Sequence, residues 1–285
     1  MMTYSTLIEA AELARHLESE HWLTVDCRFS LEDTDWGERV YQEAHIPAAI
    51  YAHLDEDLCD PLIPGQTGRH PLPSIERLRQ RFSAWGIAEG IQVVAYDDAG
   101  GAMAAARLWW LLRWLGHERV AVLNGGWSEW RRLRLPQRSG EEPHKSRKFT
   151  PRPNQIMTAT ADEILSRLGD TDLHLIDVRA PERYRGEVEP IDPVAGHIPG
   201  AISIPYQELL RGGKLLPPEP LRDRLTSRLS EGELAQAIFY CGSGVTAAVG
   251  VLAVAHAGLG IPRLYAGSWS EWICNPRRPI ERAQS

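Results

Sequence analysis

The sequence predicts an α/β fold in two tandem copies, each a mainly parallel sheet with helices on both faces. Three observations lead to this prediction. The chain has 285 residues, short apolar segments alternate with amphipathic ones, and four motifs of the first half return in the same order in the second. A chain of this length corresponds to about two domains of 100–200 residues. Two parallel neighbouring strands need a long connection between them, which is usually a helix. Strands that alternate with helical segments therefore predict a parallel sheet.

The internal repeat consists of four pairs of matching segments, and a duplicated domain explains them. The pairs are 25–28 with 176–179, 44–50 with 196–202, 93–97 with 237–241, and 123–130 with 265–272. Between the halves lies a charged stretch that contains Pro and Ser and few apolar residues, as is typical of a linker. We therefore divide the chain into an N-terminal domain at 1–138, a linker at 139–156 and a C-terminal domain at 157–285.

The elements of the second half follow from its apolar pattern. Short runs fit for buried strands lie at 173–178, 201–204, 236–240 and 263–265. Helical stretches lie between them at 161–168, 220–228 and 245–257. The last of these belongs to the most apolar window of the chain, 245–261, which is too short for a membrane span of roughly 20 residues.

Composition excludes several classes of protein. The net charge of −7 argues against nucleic acid or an anionic membrane as a partner. The four cysteines are far apart and have no histidine at metal-ligand spacing, so we expect neither a disulfide framework nor a metal site. The N-terminus lacks the pattern of a secretory signal. A cytoplasmic, reducing location fits these features.

The repeat separates residues of the fold from candidates for chemistry. Asp177 and Arg179 have counterparts in the first half, so they are interpreted as an ion pair at the end of a strand. By the same argument the histidine of each His-Ile-Pro motif and the paired tryptophans of 123–130 and 265–272 are structural.

The two halves differ most after their third strand. The first half continues with Asp97-Asp98-Ala99-Gly100-Gly101, whereas the second continues with Cys241-Gly242-Ser243-Gly244-Val245-Thr246 and then a helix. Glycines allow successive backbone N–H groups to point at one spot, and the start of a helix adds partial positive charge there. A thiolate is stabilised in such a place. Cys241 is therefore the candidate nucleophile.

The chain resembles the tandem-domain rhodanese sulfurtransferases over nearly its whole length. The resemblance rests on the two His-Ile-Pro motifs, on 183–186 and on 267–272, and the loop at 241–246 is similar to that of the 3-mercaptopyruvate type. It implies a non-catalytic N-terminal domain and a catalytic C-terminal domain. It also implies transfer of sulfane sulfur through a cysteine persulfide to cyanide, a thiol such as glutathione, or thioredoxin.

The same loop bears on the sulfur donor, a small anion. Thiosulfate-using members carry basic side chains just after the cysteine, whereas Gly242 and Ser243 are neutral here and favour the monocarboxylate 3-mercaptopyruvate. Gly242 is also expected to bind substrate, together with Gly244, Val245 and Thr246. In the mercaptopyruvate type a serine two residues after the cysteine, where this chain has Ser243, works with an aspartate of the N-terminal domain. The resemblance therefore assigns catalytic roles to Ser243 and to Asp55.

Arg183 is the candidate for binding the carboxylate of the donor. Glu32 takes its place in our alignment of the two halves, and a guanidinium presents a fork of N–H donors to a carboxylate. Family members often carry a second arginine after a Glu-Pro-rich run. This chain lacks it, and Arg185 is the expected substitute.

Three alternative functions stay open at this point. Thiosulfate sulfurtransferase differs only in the donor. A cysteine-dependent phosphatase would need an arginine six positions after its cysteine, where this chain has Ala247, and a non-catalytic binding module would need no cysteine in the loop. The proposed chemistry requires no organic cofactor and no metal.

Overall fold

The computed structural model describes residues 3–282, which form two compact units. The first unit comprises the described residues up to Asp60, Pro73–Asn154 and Gly212–Leu215. The second comprises Pro61–Leu72, Gln155–Arg211 and the described residues from Leu216 onward. The predicted boundaries at 1–138, 139–156 and 157–285 stay a prediction. The structure adds that residues 61–72, from the first half of the sequence, are part of the second unit.

The first unit alternates strands and helices. Its strands are β1 (Leu7–Ile8), β2 (Trp22–Asp26), β3 (Ala49–Tyr51), β4 (Gln92–Tyr96) and β5 (Val120–Leu123). Its helices are α1 (Ala10–Leu13), α2 (Trp36–Glu43), α3 (Leu54–Asp57), α4 (Ile75–Ala84), α5 (Ala104–Trp114) and α6 (Gly126–Arg132). The strands form one parallel sheet in the order β1-β5-β4-β2-β3.

The second unit repeats this plan. Its described strands are β6 (Leu175–Asp177), β7 (Ile202–Ser203), β8 (Leu210–Arg211), β10 (Ile238–Tyr240) and β11 (Arg263–Leu264). The strand β9 (Lys214–Leu215), which follows β8 in the chain, belongs to the first unit. Its helices are α7 (Ala161–Ser166), α8 (Pro181–Arg185), α9 (Pro218–Thr226), α10 (Glu231–Gln236), α11 (Ala247–His256) and α12 (Ser268–Trp272). Short 3-10 helices cover Gln155–Met157 and Tyr206–Leu209. The parallel sheet has the order β11-β10-β6-β7, which confirms the predicted α/β fold.

Helix ends account for most differences from the predicted bounds. α7 begins where predicted because Thr160 Oγ accepts the N–H of Glu163. α9 begins two residues early, at Pro218, because proline suits the first helical position. The sequence analysis missed α10, although Ser230 and Glu233 form a capping box that is visible in the sequence.

The repeated motifs have the structural roles that were predicted for them. Arg28 Nη2 lies 2.6 Å from Asp26 Oδ2, and Arg179 Nη2 lies 2.6 Å from Asp177 Oδ2, each pair buried at the end of a strand. Each guanidinium also lies over an indole ring, 4.7 Å from the centroid of Trp127 or 4.9 Å from that of Trp269. The ion-pair prediction is confirmed.

Asp97 occupies the position in the first unit that Cys241 occupies in the second. Its carbonyl oxygen accepts the N–H of Trp127 at 2.8 Å, as that of Cys241 accepts the N–H of Trp269 at 3.0 Å. The buried Asp97 carboxylate accepts N–H bonds from the backbone of the following loop and helix, namely from Ala99, Gly101, Met103 and Ala105. A carboxylate thus fills this loop in the first unit.

We expect Asp97→Asn to lower the free energy of unfolding by about 2–4 kcal/mol. An amide offers one acceptor oxygen and points N–H donors at N–H donors, so buried backbone groups lose their partners. Denaturant unfolding followed by tryptophan fluorescence measures the change. The exposed neighbour Asp98 provides the control, because Asp98→Asn should change the free energy by about 0.5 kcal/mol or less. Equal effects of the two substitutions would contradict the role given to Asp97.

The other cysteines are poor nucleophiles. Cys27 and Cys59 are buried, and burial raises the pKa of both thiols, that of Cys59 to about 12. Burial and the nearby Glu271 raise the pKa of Cys274. Within residues 3–282, no helix combines the length and the apolar character needed to cross a membrane.

Candidate active site

The loop that follows β10 is held by hydrogen bonds to the start of α12. Cys241 donates its N–H to Ser268 Oγ at 3.1 Å, and Ser270 donates its N–H to the carbonyl of Gly242 at 2.9 Å. Ser268 has a left-handed backbone, with φ of 55°, and is fully buried. Strain of this kind persists only where the surroundings impose it. These bonds set the direction of the Cys241 backbone.

Gly244 brings a backbone donor to the sulfur. Its N–H lies 3.1 Å from Cys241 Sγ. Its φ is 79°, and a Cβ atom there would lie 2.1 Å from the carbonyl oxygen of Ala266. Only glycine fits this position. The loop then runs through Val245 and Thr246 into α11, whose first turn contributes the positive end of the helix dipole.

Ser243 pairs with a histidine that the sequence analysis did not single out. Its Oγ lies 2.7 Å from Nδ1 of His70, and both residues are buried, with 7% and 5% of their surface exposed. His70 belongs to residues 61–72 of the second unit. A hydroxyl bonded to an imidazole can pass a proton, because histidine gains and loses protons near neutral pH.

Two guanidiniums lie against Gly242, the residue next to the candidate nucleophile. A methyl group on Gly242 would lie 2.8 Å from Arg69 Nη2 and 3.5 Å from Arg183 Nη2. Arg69 Nε is buried and has no hydrogen-bond partner among the described residues. Burial, with Arg183 nearby, lowers the pKa of Arg69. Arg185, the expected second arginine, instead forms an exposed ion pair with Glu187.

The structure corrects the counterpart that the sequence alignment assigned to Arg183. Tyr184 OH donates to the carbonyl of Ala201, and the Tyr184 carbonyl accepts from His197 Nδ1 at 2.7 Å. Tyr41 makes the same two bonds in the first unit, to Ala49 and His45. The residue before Tyr41 is Val40, so Val40 and not Glu32 corresponds to Arg183.

Asp55 belongs to the first unit. It lies in α3, is partly buried, and donates its backbone N–H to Nδ1 of His53 at 3.2 Å. His53 precedes the helix, and its ring also accepts the N–H of Glu56. The catalytic role of Asp55 stays a prediction from the resemblance.

Sequence reasoning missed Arg69, His70 and Ser268. The repeat was the main source of candidates, and no repeated motif covers residues 61–72. The available signal was a histidine beside an arginine in a stretch rich in Pro and Gly, where a buried structural role is unusual. Ser268 was hidden within a motif interpreted as packing, although the first half has Gly126 at the matching position. Within the described residues, no group of His, Cys, Asp and Glu is placed to hold a metal ion.

The sequence profile of the Rhodanese-like domain matches residues 9–133 and 160–274. The chain belongs to the rhodanese-like family. A probable 3-mercaptopyruvate sulfurtransferase of Pseudomonas aeruginosa is 47% identical over 281 residues, which are 98% of this chain and 99% of that protein. A putative thiosulfate sulfurtransferase of Mycobacterium tuberculosis is 37% identical over 282 residues, 97% of this chain and 96% of that protein.

Solved structures of the family agree with the fold. The 3-mercaptopyruvate sulfurtransferase of Leishmania major has a TM-score of 0.85 and 35% identity, and the match covers 97% of this chain and 76% of that one. The 3-mercaptopyruvate sulfurtransferase of Escherichia coli has a TM-score of 0.81 and 30% identity, over 94% of this chain and 100% of that one. The predicted pair of rhodanese-like domains is confirmed.

We expect Gly244→Ala to destabilise the second unit and to slow alkylation of Cys241. The new methyl group would collide with the Ala266 carbonyl, in addition to the cost of about 1 kcal/mol for a left-handed alanine. Unfolding by denaturant and the rate of reaction with iodoacetamide measure the two effects. Gly200→Ala is a matched control, because Gly200 has φ of 76° and nothing within 4 Å of a Cβ atom. Identical behaviour of the two variants would contradict the packing argument.

Proposed function

We propose that this protein is a sulfurtransferase that takes sulfur from 3-mercaptopyruvate and passes it to a thiophilic acceptor through a persulfide on Cys241. The observation that carries the proposal is the environment of Cys241. A backbone N–H lies 3.1 Å from its sulfur, and two guanidiniums lie against the next residue. The names of the relatives from Pseudomonas aeruginosa, Leishmania major and Escherichia coli support the same donor.

In the first half-reaction the Cys241 thiolate attacks the sulfur of 3-mercaptopyruvate. An S–S bond forms, the C–S bond of the donor breaks, and its electron pair leaves on carbon as the enolate of pyruvate. The thiol proton of the donor balances this step: it leaves the new persulfide, and one proton is delivered to the enolate carbon. The products are pyruvate and the Cys241 persulfide anion, which the Gly244 N–H stabilises.

Ser243 and His70 handle this proton. The Oγ of Ser243 is two residues from the nucleophile and is joined to Nδ1 of His70 at 2.7 Å, so a proton can move along one hydrogen bond. The resemblance implies that Asp55 also takes part in this proton transfer. The kcat of Asp55→Asn tests that assignment.

Arg183 and Arg69 bind the carboxylate of the donor. Both present N–H groups beside Gly242, and the buried Nε–H of Arg69, which has no partner within residues 3–282, adds a further donor for an anion. The loop residues Gly242, Gly244, Val245 and Thr246, which are expected to bind the donor, carry no charged side chain. This arrangement suits a small donor that carries its charge at one end.

In the second half-reaction an acceptor removes the outer sulfur. Cyanide, a thiol such as glutathione, or a reduced thioredoxin attacks that sulfur and releases the Cys241 thiolate. Cys241 is 1% exposed, which favours acceptors that reach it with one narrow group. Four free cysteines are consistent with a cytoplasmic location in a reducing compartment.

Thiosulfate is the second candidate donor. The Mycobacterium tuberculosis relative, which is 37% identical, is named a putative thiosulfate sulfurtransferase. Its transfer releases sulfite and needs no proton. Parallel assays of pyruvate release from 3-mercaptopyruvate and of sulfite release from thiosulfate decide between the donors, and kcat/KM higher for thiosulfate would overturn the proposed preference.

Cys241→Ser is expected to abolish turnover, because a hydroxyl does not form a persulfide. Intact-mass measurement after exposure to donor should show one added sulfur atom on the wild-type protein and none on the variant. Cys274→Ser is the control and should keep full activity, since a hydroxyl can donate to the Ser270 carbonyl as the Cys274 thiol does. Full activity in Cys241→Ser would refute the proposed function.

Ser243→Ala should lower kcat for 3-mercaptopyruvate by about a hundredfold, because the enolate loses its positioned proton donor. The rate of alkylation of Cys241 should stay within about threefold of the wild-type rate, because the nucleophile is unchanged. Pyruvate release and iodoacetamide labelling measure the two quantities on the same preparation. A parallel fall in both rates would place Ser243 in activation of the nucleophile instead.

A further inference from the structure

Two buried carboxylates beside the active site lie on a segment that the first unit lacks. Three residues separate Tyr41 from His45, whereas twelve separate Tyr184 from His197. The longer connection carries Glu189 and Asp192, whose side chains are each 3% exposed. Its remaining acidic residue, Glu187, is on the surface.

These carboxylates are paired with the guanidiniums that lie against Gly242. Asp192 forms an ion pair with Arg69 and lies 3.3 Å from Arg183. Glu189 lies 2.6 Å from Arg183 and 3.3 Å from Arg179, and Arg179 is already neutralised by Asp177. The two carboxylates therefore balance the two cations that face the site of sulfur transfer.

The balance has a consequence for the charge of the donor. The electrostatic free energy of a bound anion is proportional to the product of its charge and the local potential, so a dianion responds to that potential about twice as strongly as a monoanion. A balanced site still offers N–H donors to a carboxylate. It offers little additional attraction to a second negative charge.

We propose that Glu189 and Asp192 determine donor selectivity by charge, so that the site accepts a monoanionic α-keto carboxylate and discriminates against a dianion such as thiosulfate. This inference rests on the proposed function. Asp192 acts through Arg69 and Arg183, and Glu189 acts through Arg183. They are specificity-determining residues on the segment that distinguishes the second unit from the first.

Asp192→Asn tests the inference, because the amide keeps the shape and one oxygen for Arg69 and removes the negative charge. The ratio of kcat/KM for thiosulfate to kcat/KM for 3-mercaptopyruvate should rise on the order of tenfold. The increase should shrink at high ionic strength, because salt screens the added charge. Sulfite release that is detectable only in the variant counts as the same result.

Glu187→Gln is the matched control. It removes a negative charge from the same segment, but Glu187 is exposed and paired with Arg185, so the ratio should not change. Arg69→Gln provides a test of sign, because it removes a positive charge and should lower the ratio. If Asp192→Asn does not fold, Glu189→Gln carries the same prediction as Asp192→Asn.

Two failures are distinguishable. If the wild-type protein releases pyruvate from 3-mercaptopyruvate and the ratio is unchanged in Asp192→Asn, the charge inference is wrong and the proposed function stands. A ratio that moves in the same direction in Asp192→Asn and Arg69→Gln also overturns the inference, because disturbed packing then explains both. If the wild-type protein releases no pyruvate, the proposed function itself fails.

Discussion

The orientation of the candidate nucleophile depends on backbone hydrogen bonds to the end of its strand, and both units share one of them. In each unit the residue after the central strand accepts the N–H of a buried tryptophan, from Trp127 to Asp97 in one case and from Trp269 to Cys241 in the other. The bond ties the end of β4 to α6 in the first unit and the end of β10 to α12 in the second, in each case the helix that follows the neighbouring strand. In both units the side chain at this position points into the loop before the next helix, α5 or α11, where it accepts backbone N–H groups. The fold thus provides the same position twice.

What differs is the group that occupies this position. In the first unit the Asp97 carboxylate accepts N–H groups from its own loop and helix, so the loop is filled by the protein itself. In the second unit a glycine-containing loop brings the N–H of Gly244 to 3.1 Å from the smaller Cys241 sulfur, and the residues of the loop itself carry no charge. A scaffold of equal geometry carries a structural acid in one copy and a candidate nucleophile in the other.

Charge near Cys241 is arranged in a balanced group rather than as an excess of positive residues. Burying an unpaired guanidinium is costly, and pairing it with a carboxylate reduces that cost. Arg69 is supplied by residues 61–72 and its partner Asp192 by the segment after α8, 123 positions away in sequence. Two segments outside the regular elements therefore give the site its electrostatic character. Loops that a rigid sheet holds in place commonly carry specificity in this way.

Local patterns were sufficient to predict the architecture and to single out the candidate nucleophile. Apolar runs and helix caps depend on residues that are close in the chain, so the parallel sheets, the duplication and the loop from Cys241 to Thr246 were all visible in the sequence. The contrast between Asp97 and Cys241 was visible for the same reason. The repeat failed where one copy has an insertion, and it therefore paired Arg183 with Glu32 rather than Val40.

By itself, the sequence determined the α/β fold and its two copies and indicated the candidate nucleophile, because those properties depend on short stretches of chain. Only the tertiary structure decided which distant groups surround that cysteine. His70 and Ser243 are 173 positions apart, and nothing in the neighbourhood of either indicates the other. Their contact arises because residues 61–72 pack within the second unit, where Arg69 donates its N–H to Ser270 Oγ. Packing between segments far apart in the chain leaves no periodic signal in the sequence.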